Sequence, residues 1–258
     1  MMQTFNSQDN LHKAWMYRLL EAVAEDDYLA QKMYFKGGTC AAMLGWLDRF
    51  SVDLDFDFAG SLTEAKQARK RLEKIFKNLD LSIKDQSRRG LQYFLKYENF
   101  GRNTLKLEAS FPLYQKSQYE PQRLMEINKI LICQTKETMF SHKLCALMDR
   151  YRKTGKLAGR DLYDIHYFFL KGYDYNVQVI KERTGFEAQD FFANLYVFIK
   201  DKITDKIITE DLSYLLSLPK FKIIRKVLKR EVLMMLRGEE EKHKKGKHKL
   251  EKYKTLTK

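Results

Sequence analysis

A chain of 258 residues holds one large domain or two small ones, and its 44% apolar content, with 17 Phe and 15 Tyr, is ample for a packed core. Lys and Arg outnumber Asp and Glu by 48 to 34, and the resulting net charge of +14 suits a polyanionic partner such as RNA, DNA or a nucleotide. Three cysteines without a C-x-x-C pair (Cys40, Cys133, Cys145) argue against a disulfide framework. No apolar run approaches the roughly 20 residues needed to cross a bilayer, and the polar residues 1–10 lack a signal-peptide core. These features predict reduced thiols in a cytoplasmic protein with no membrane partner.

Along the chain, periodicity predicts a helix over residues 10–25, with Leu11, Ala14, Trp15, Leu19 and Ala22 on one face. A short strand over 33–35 leads into the Gly37–Gly38 turn and an apolar helix over 39–47. Residues 52–58 alternate cleanly: Val52, Leu54, Phe56 and Phe58 point one way, Asp53, Asp55 and Asp57 the other. A charged amphipathic helix over 62–78 follows, then alternating strands over 91–97 and 104–110, antiparallel across a turn at 99–102. From Glu137 the pattern is helical, with segments at 137–152, 160–170, 176–184, 187–202, 210–216 and 221–237, and a glycine-containing loop (Gly155, Gly159) after the first. The last stretch, 238–258, is rich in Lys and Glu and reads as a solvated, flexible basic tail. The expected architecture is α+β. A mixed sheet with flanking helices occupies 1–118, an all-helical C-terminal lobe that completes the active-site cleft occupies 119–237, and the tail runs over 238–258.

The segment Arg49-Phe-Ser-Val-Asp-Leu-Asp-Phe-Asp57 carries the most chemistry. Alternate residues of a strand share a face, so Asp53 and Asp55 stand about 6–7 Å apart. Carboxylates so close repel unless a cation lies between them, and Mg²⁺ takes oxygen ligands of this kind. A lone D-x-D is more often a wet edge strand, but three other features weigh against that here. Lys36-Gly-Gly-Thr39 sits between strand and helix, where Gly37, Gly38 and Thr39 can offer backbone N–H groups to phosphate. Glu108, on the polar face of its own strand with Lys106 and Ser110, can complete a two-metal clamp. Lys143 and Arg150 share one helix face, and Asp161 and Asp164 open the next helix, so that two cations can face the sheet and a triphosphate.

These residues together resemble the AbiEii/AbiGii-type nucleotidyltransferase toxins of the DNA polymerase β-like superfamily. The resemblance rests on Phe35-Lys-Gly-Gly-Thr39, Arg49 to Phe56, Glu108, Ser141 to Arg150, and Gly159-Arg-Asp-Leu-Tyr-Asp164, about residues 33–166. Fourteen residues separate Gly38 from Asp53, a long spacing in the superfamily but in keeping with this branch.

It implies an NTP-dependent, Mg²⁺-dependent (or Mn²⁺-dependent) nucleotidyltransferase, the toxin of a toxin–antitoxin or phage-defence pair. The implied acceptor is RNA, namely the acceptor end of tRNA, and the implied protein partner is a cognate antitoxin. Asp53, Asp55 and Glu108 would bind metal, and Lys143 would neutralise triphosphate charge, helped by Arg150 or Arg49. Ser51 would touch a phosphate, and Asp161 would orient Lys143 or accept a proton. Two rival readings differ in what they require. A nucleotidyltransferase acting on a protein or small molecule shares the core, whereas a non-catalytic nucleic-acid binder needs no acidic cluster. Beyond residue 170 no motif is recognisable.

Overall fold

Strand β2 (Asp53–Phe58) is the middle strand of a seven-stranded mixed sheet, and its alternation decides which side of that sheet is dry. The structure, a computed structural model, describes residues 7–97 and 103–256, with side chains over 9–97 and 103–246. The chain divides into two units, Met1–Thr135 and Lys136–Lys258.

The first unit runs α1 (Ser7–Glu25), α2 (Asp27–Lys32), β1 (Met33–Lys36), α3 (Gly37–Met43), β2, α4 (Leu62–Asn78), β3 (Ser82–Gln86), β4 (Leu91–Lys96), β5 (Thr104–Ser110), β6 (Tyr119–Leu124) and β7 (Lys129–Gln134). The strand order is β3-β4-β5-β2-β1-β7-β6. β2 pairs antiparallel with β1 and parallel with β5, and β7 runs parallel to β1. On the dry face Leu54, Phe56 and Phe58 of β2 join Leu105 and Leu107 of β5 and Tyr93 and Leu95 of β4, all fully buried. Helices α1 and α4 pack there through Met16, Leu19, Leu20, Ala68, Leu72 and Phe76. Helix α4 begins where expected because Ser61 and Glu64 form a reciprocal capping box.

The observed fold departs from the expected one at several points. The buried side of α1 is turned from Leu11, which is 37% exposed, to His12, which is fully buried. His12 can be buried because both ring nitrogens are satisfied, by the Tyr97 hydroxyl at 3.1 Å and the Val52 carbonyl at 3.0 Å. α3 starts at Gly37 and stops at Met43, just before Gly45 at φ +70°. β4 and β5 are antiparallel as expected; the turn at 99–102 lies outside the described residues. The division at residue 118 falls too early. The β6–β7 hairpin, turned through Asn128 at φ +50°, belongs to the sheet, because β7 hydrogen-bonds beside β1. The sheet's edges are irregular: β3 is exposed throughout, with a register shift between Ile83 and Asp85, and β6 contains Pro121.

The second unit is helical: α5 (Lys136–Thr154), α6 (Gly159–Leu170), α7 (Val177–Thr184), α8 (Ala188–Lys202), α9 (Asp205–Leu212) and α10 (Leu218–Leu256). Its core gathers Phe140, Leu144, Phe168, Phe191, Phe192 and Leu228. α9 lies earlier than expected because Thr204 caps it, accepting from the Ile207 N–H. Gly159 is required at the start of α6: a Cβ there would meet the Ile207 carbonyl oxygen at 2.8 Å. Cys40, Cys133 and Cys145 are buried and not paired in disulfides among the described residues. No helix among the described residues is long and apolar enough to cross a membrane.

The flexible tail expected from Gly238 onward is instead a continuation of α10. Lys and Glu are good helix formers, and the two glycines cost too little to break the helix. Packing holds its first turns. The Tyr175 hydroxyl bonds both Glu239 and His243, and the His243 ring stacks on Phe192 at 5.7 Å. Ending the chain at Gly238 is therefore expected to lower the melting temperature, by about 1–3 kcal/mol of stability. Thermal melting of the truncated protein checks this, and Tyr175→Phe should reproduce part of the loss.

Candidate active site

The wet face of the central strands brings the first group of candidate residues together. In Cα register Asp55 lies opposite Lys36 of β1 and Glu108 of β5, while Asp53 lies opposite Lys106. Gly37, at φ +82°, passes directly over Asp55: a Cβ there would sit 2.6 Å from Oδ2. Gly38 is equally confined, its missing Cβ 2.7 Å from Ser51 Oγ and 3.2 Å from the Arg49 guanidinium. The Thr39 hydroxyl lies 3.1 Å from Ser51 Oγ and donates to the Asp53 carbonyl at 2.6 Å, tying the turn to the acidic strand. Arg49 is mostly buried and donates to the Phe50 carbonyl at 3.0 Å. Gly37, Gly38, Thr39, Arg49, Ser51, Asp53, Asp55 and Glu108 thus form one contiguous patch.

The three aspartates of β2 differ in how their charges are met. Asp57 is 5% exposed and accepts from Lys36 Nζ at 2.6 Å, the Tyr119 hydroxyl at 2.9 Å and Gln134 Nε2 at 2.6 Å. Burial, and then the Asp57 charge, push the Tyr119 phenol well above its ordinary range. Among the described residues Asp55 has no such set of donors. Burial, followed by the neighbouring Asp53 carboxylate, pushes its carboxyl up to about 6, against the opposing charges of Lys106 and Lys36. Burial would also raise Glu108, but the hydrogen bond and charge of Lys106, with a bond from Gln92, hold it below the ordinary value. Lys106 donates to Glu108 and also feels Asp55 and Asp53, so a lysine ammonium serves as the cation of this face.

The donor set fits a divalent cation in kind, since it is made of carboxylates, one of them destabilised by its neighbour. As placed, no group of three His, Cys, Asp or Glu side chains among the described residues could hold a metal ion. Asp53 and Asp55 are acids of the kind such an ion takes, and Glu108, in register with Asp55, is engaged by Lys106.

Lys143, Arg150 and Asp161 lie in the second unit, on α5 and α6. Lys143 Nζ donates to Asp164 Oδ2 at 2.6 Å, and Arg150 donates to Asp161 at 2.7 and 3.2 Å. The partner of Lys143 is thus Asp164, where the sequence suggested Asp161. Two positions two turns apart on α5 meet two positions one turn apart on α6, which sets Lys143 on Asp164 and Arg150 on Asp161. The side chains of Lys143 and Asp164 are 12% and 3% exposed. Asp57, Lys106 and Asp164 carry weight that the motifs did not assign. Lys36 and Asp164 stand within the quoted motifs, whereas the role of Lys106 needs the register of β5 against β2.

A mixed sheet that presents paired acids beside a Gly-Gly turn, followed by a helical region, defines the nucleotidyltransferase class of fold. Two Helicobacter pylori crystal structures are similar. JHP933 matches with a TM-score of 0.57 and 22% identity over 97% of this chain and 100% of that one. The other, whose description carries a provisional nucleotidyltransferase assignment, matches with a TM-score of 0.59 and 23% identity over 93% and 98%. At these identities the likeness concerns the fold. No curated protein matches the chain significantly. A family model described as "Nucleotidyl transferase AbiEii toxin, Type IV TA system" matches residues 18–245, and the chain belongs to that family. The match extends well past residue 170, where the sequence offers no readable motif.

Two variants separate the aspartates. Asp57→Ala strands Lys36, Tyr119 and Gln134 and should cost about 2–4 kcal/mol, while Asp53→Ala should stay within about 1 kcal/mol of wild type; chemical denaturation measures both. For Asp55 the folded value lies above the unfolded one. The native state therefore holds a proton the unfolded chain releases, and stability declines as pH rises from about 4 through about 6. Asp55→Asn, neutral throughout, should melt above wild type beyond pH 6, with the gap closing toward about pH 4; a melting series across pH tests it.

Proposed function

We propose that this protein is an NTP-dependent nucleotidyltransferase whose acceptor is RNA, namely the acceptor end of tRNA. It acts as a growth-inhibiting toxin in the cytoplasm, opposed by a cognate antitoxin, within a toxin–antitoxin or phage-defence pair. The carrying observation is Asp55 lying against Gly37 and in register with Glu108, with Asp53 two residues before it on the same strand face, an acidic face whose charge is only partly met by the protein's own lysines. The family supports transfer of a nucleotidyl group and a toxin's role.

Mg²⁺ or Mn²⁺ on Asp53, Asp55 and Glu108 would supply Lewis-acid stabilisation of the transferring phosphoryl group and of the leaving pyrophosphate. The chain's own groups do the rest. Gly37 and Gly38, lacking side chains, let the turn pack directly on Asp55 and Ser51, and the backbone N–H groups of Gly37, Gly38 and Thr39 at the start of α3 would bind phosphate oxygens there, helped by Ser51 and Arg49. Thr39 cannot swing away, since its hydroxyl is committed to the Asp53 carbonyl. Lys143 and Arg150 would meet triphosphate charge while Asp164 and Asp161 hold them in a fixed posture. Asp161 then acts by orienting Arg150, and Asp164 by orienting Lys143.

Incubation with each labelled nucleoside triphosphate and total RNA, with and without Mg²⁺, tests the reading. The expected product is label on RNA of tRNA length, dependent on the divalent ion. Asp53→Ala should abolish it, and Lys143→Ala should lower the rate by about 100-fold or more, as loss of a charge facing transferring phosphates does. Label on protein or on a small molecule would move the acceptor to another class. Transfer surviving Asp53→Ala would overturn the assignment of the site.

A further inference from the structure

A second binding surface lies in the helical unit, apart from every residue discussed so far as catalytic. A groove of about 560 Å³ runs beside α10, walled by Tyr196 of α8, by Asp205 at the start of α9, and by Lys226, Arg230 and Arg237 of α10. We infer that this groove binds the phosphodiester backbone of an RNA. The inference takes its RNA from the acceptor proposed above, and it adds where that RNA is held.

The charge is concentrated by sequence. Between Lys220 and Arg230 the helix carries six cations (Lys220, Lys222, Arg225, Lys226, Lys229, Arg230) and no acid. Lys226, Arg230, Leu233 and Arg237 recur at helical spacing, so they share one face. On a rise of 1.5 Å per residue, Lys226 and Arg230 stand about 6 Å apart along the axis and Arg237 about 10 Å further on. The three cations are exposed. No hydrogen bond or ion pair to a described residue engages Lys226 or Arg230, and Asp205 is the one acid in the lining.

Like charges four residues apart weaken a helix, and here Lys222, Lys226 and Arg230 form such a series. A polyanion laid along the stripe removes that repulsion. Lys229 reinforces the wall differently: its ammonium donates to the Lys200 and Ile203 carbonyls at 2.9 and 2.6 Å, closing the C-terminal end of α8 and keeping its charge beside the groove.

The partner's class follows from one further contact. The Arg237 guanidinium lies over the Tyr196 ring, 4.8 Å from its centroid, making a flat aromatic–cation platform within the groove. Single-stranded nucleic acid is held by this combination, a basic track for phosphates with an aromatic surface on which a base stacks. An acidic protein would use the cations but has no planar group at each step to place on the platform.

The test is RNA binding without nucleotide, by fluorescence anisotropy of a labelled tRNA pool over a salt series. Lys226→Gln with Arg230→Gln should raise Kd about 10-fold near 0.1 M salt. Each contact contributes about 0.7–0.9 to the slope of log K against log salt, so the slope should flatten by about 1.4–1.8. Lys66→Gln with Lys70→Gln makes the same charge change on exposed positions of α4 and should bind like wild type. Tyr196→Leu should weaken binding and leave the slope intact. Lys226→Arg with Arg230→Lys keeps the charge and should keep the affinity, which separates charge from any disturbance of α10.

An unchanged slope and Kd in the groove variant would overturn the inference. So would an equal loss in the α4 control, or loss of polyglutamate binding with RNA binding kept. Groove-dependent RNA binding without nucleotide transfer would instead sink only the enzymatic reading.

Discussion

Strand β2 must carry three carboxylates through the centre of a sheet, and the fold is possible because the one that is fully enclosed is met by three donors. Lys36, Tyr119 and Gln134 reach Asp57 from β1, β6 and β7, the strands on one side of β2. A buried carboxylate left without partners would be far too costly, so this cluster constrains the order of the strands as much as the apolar face does. With Asp57 satisfied, Asp55 and Asp53 lie two and four residues back along the same face, progressively less provided for. The polar side of one strand thus grades from structural to available, and the Gly37–Gly38 turn lies over the available end.

Lysine chemistry recurs on both units with different outcomes. Lys36 is consumed by Asp57, and Lys106 bridges toward Glu108 while sensing Asp55 and Asp53. On α5, Lys143 and Arg150 are held by Asp164 and Asp161, with Lys143 also lying over the Phe168 ring at 5.8 Å. Such pairing fixes a cation's position without exhausting its donors, since an ammonium has three and a guanidinium five. On α10 the groove's Lys226 and Arg230 are left to solvent, which suits contact with a long, mobile anion more than capture of a small one.

The alternation of β2, the charged amphipathic helix α4, the strands β4 and β5 and the helical character after residue 136 could all be read from spacing, because each expresses a local preference that the tertiary structure reinforces. β6 and β3 could not. Their side chains are largely polar and exposed, so no apolar period marks them. β7 carries the apolar run Ile130-Leu-Ile-Cys133 inside the stretch expected to be helical, and only its pairing with β1 says that it belongs to the sheet. The burial of His12 depends on Tyr97 and Val52, partners distant in sequence, so periodicity assigned its helix the wrong face. Among the candidate site residues, Gly37, Gly38, Asp53, Asp55 and Glu108 stood in recognisable motifs, while the matching of Lys143 with Asp164 follows from how two helices pass each other, which spacing along one chain does not encode.

The irregular margins of the sheet carry a consequence for the protein's behaviour in a crowded solution. An open sheet ends in unpaired N–H and C=O groups that can template addition of another chain. At one margin Pro121 lacks the N–H a docking strand would need. At the other, the break in register between Ile83 and Asp85 kinks the strand, and its exposed Lys84 and Asp85 keep the approach hydrated. Neither border offers a long straight apolar template, so the sheet is guarded against edge-to-edge polymerisation even when its concentration rises.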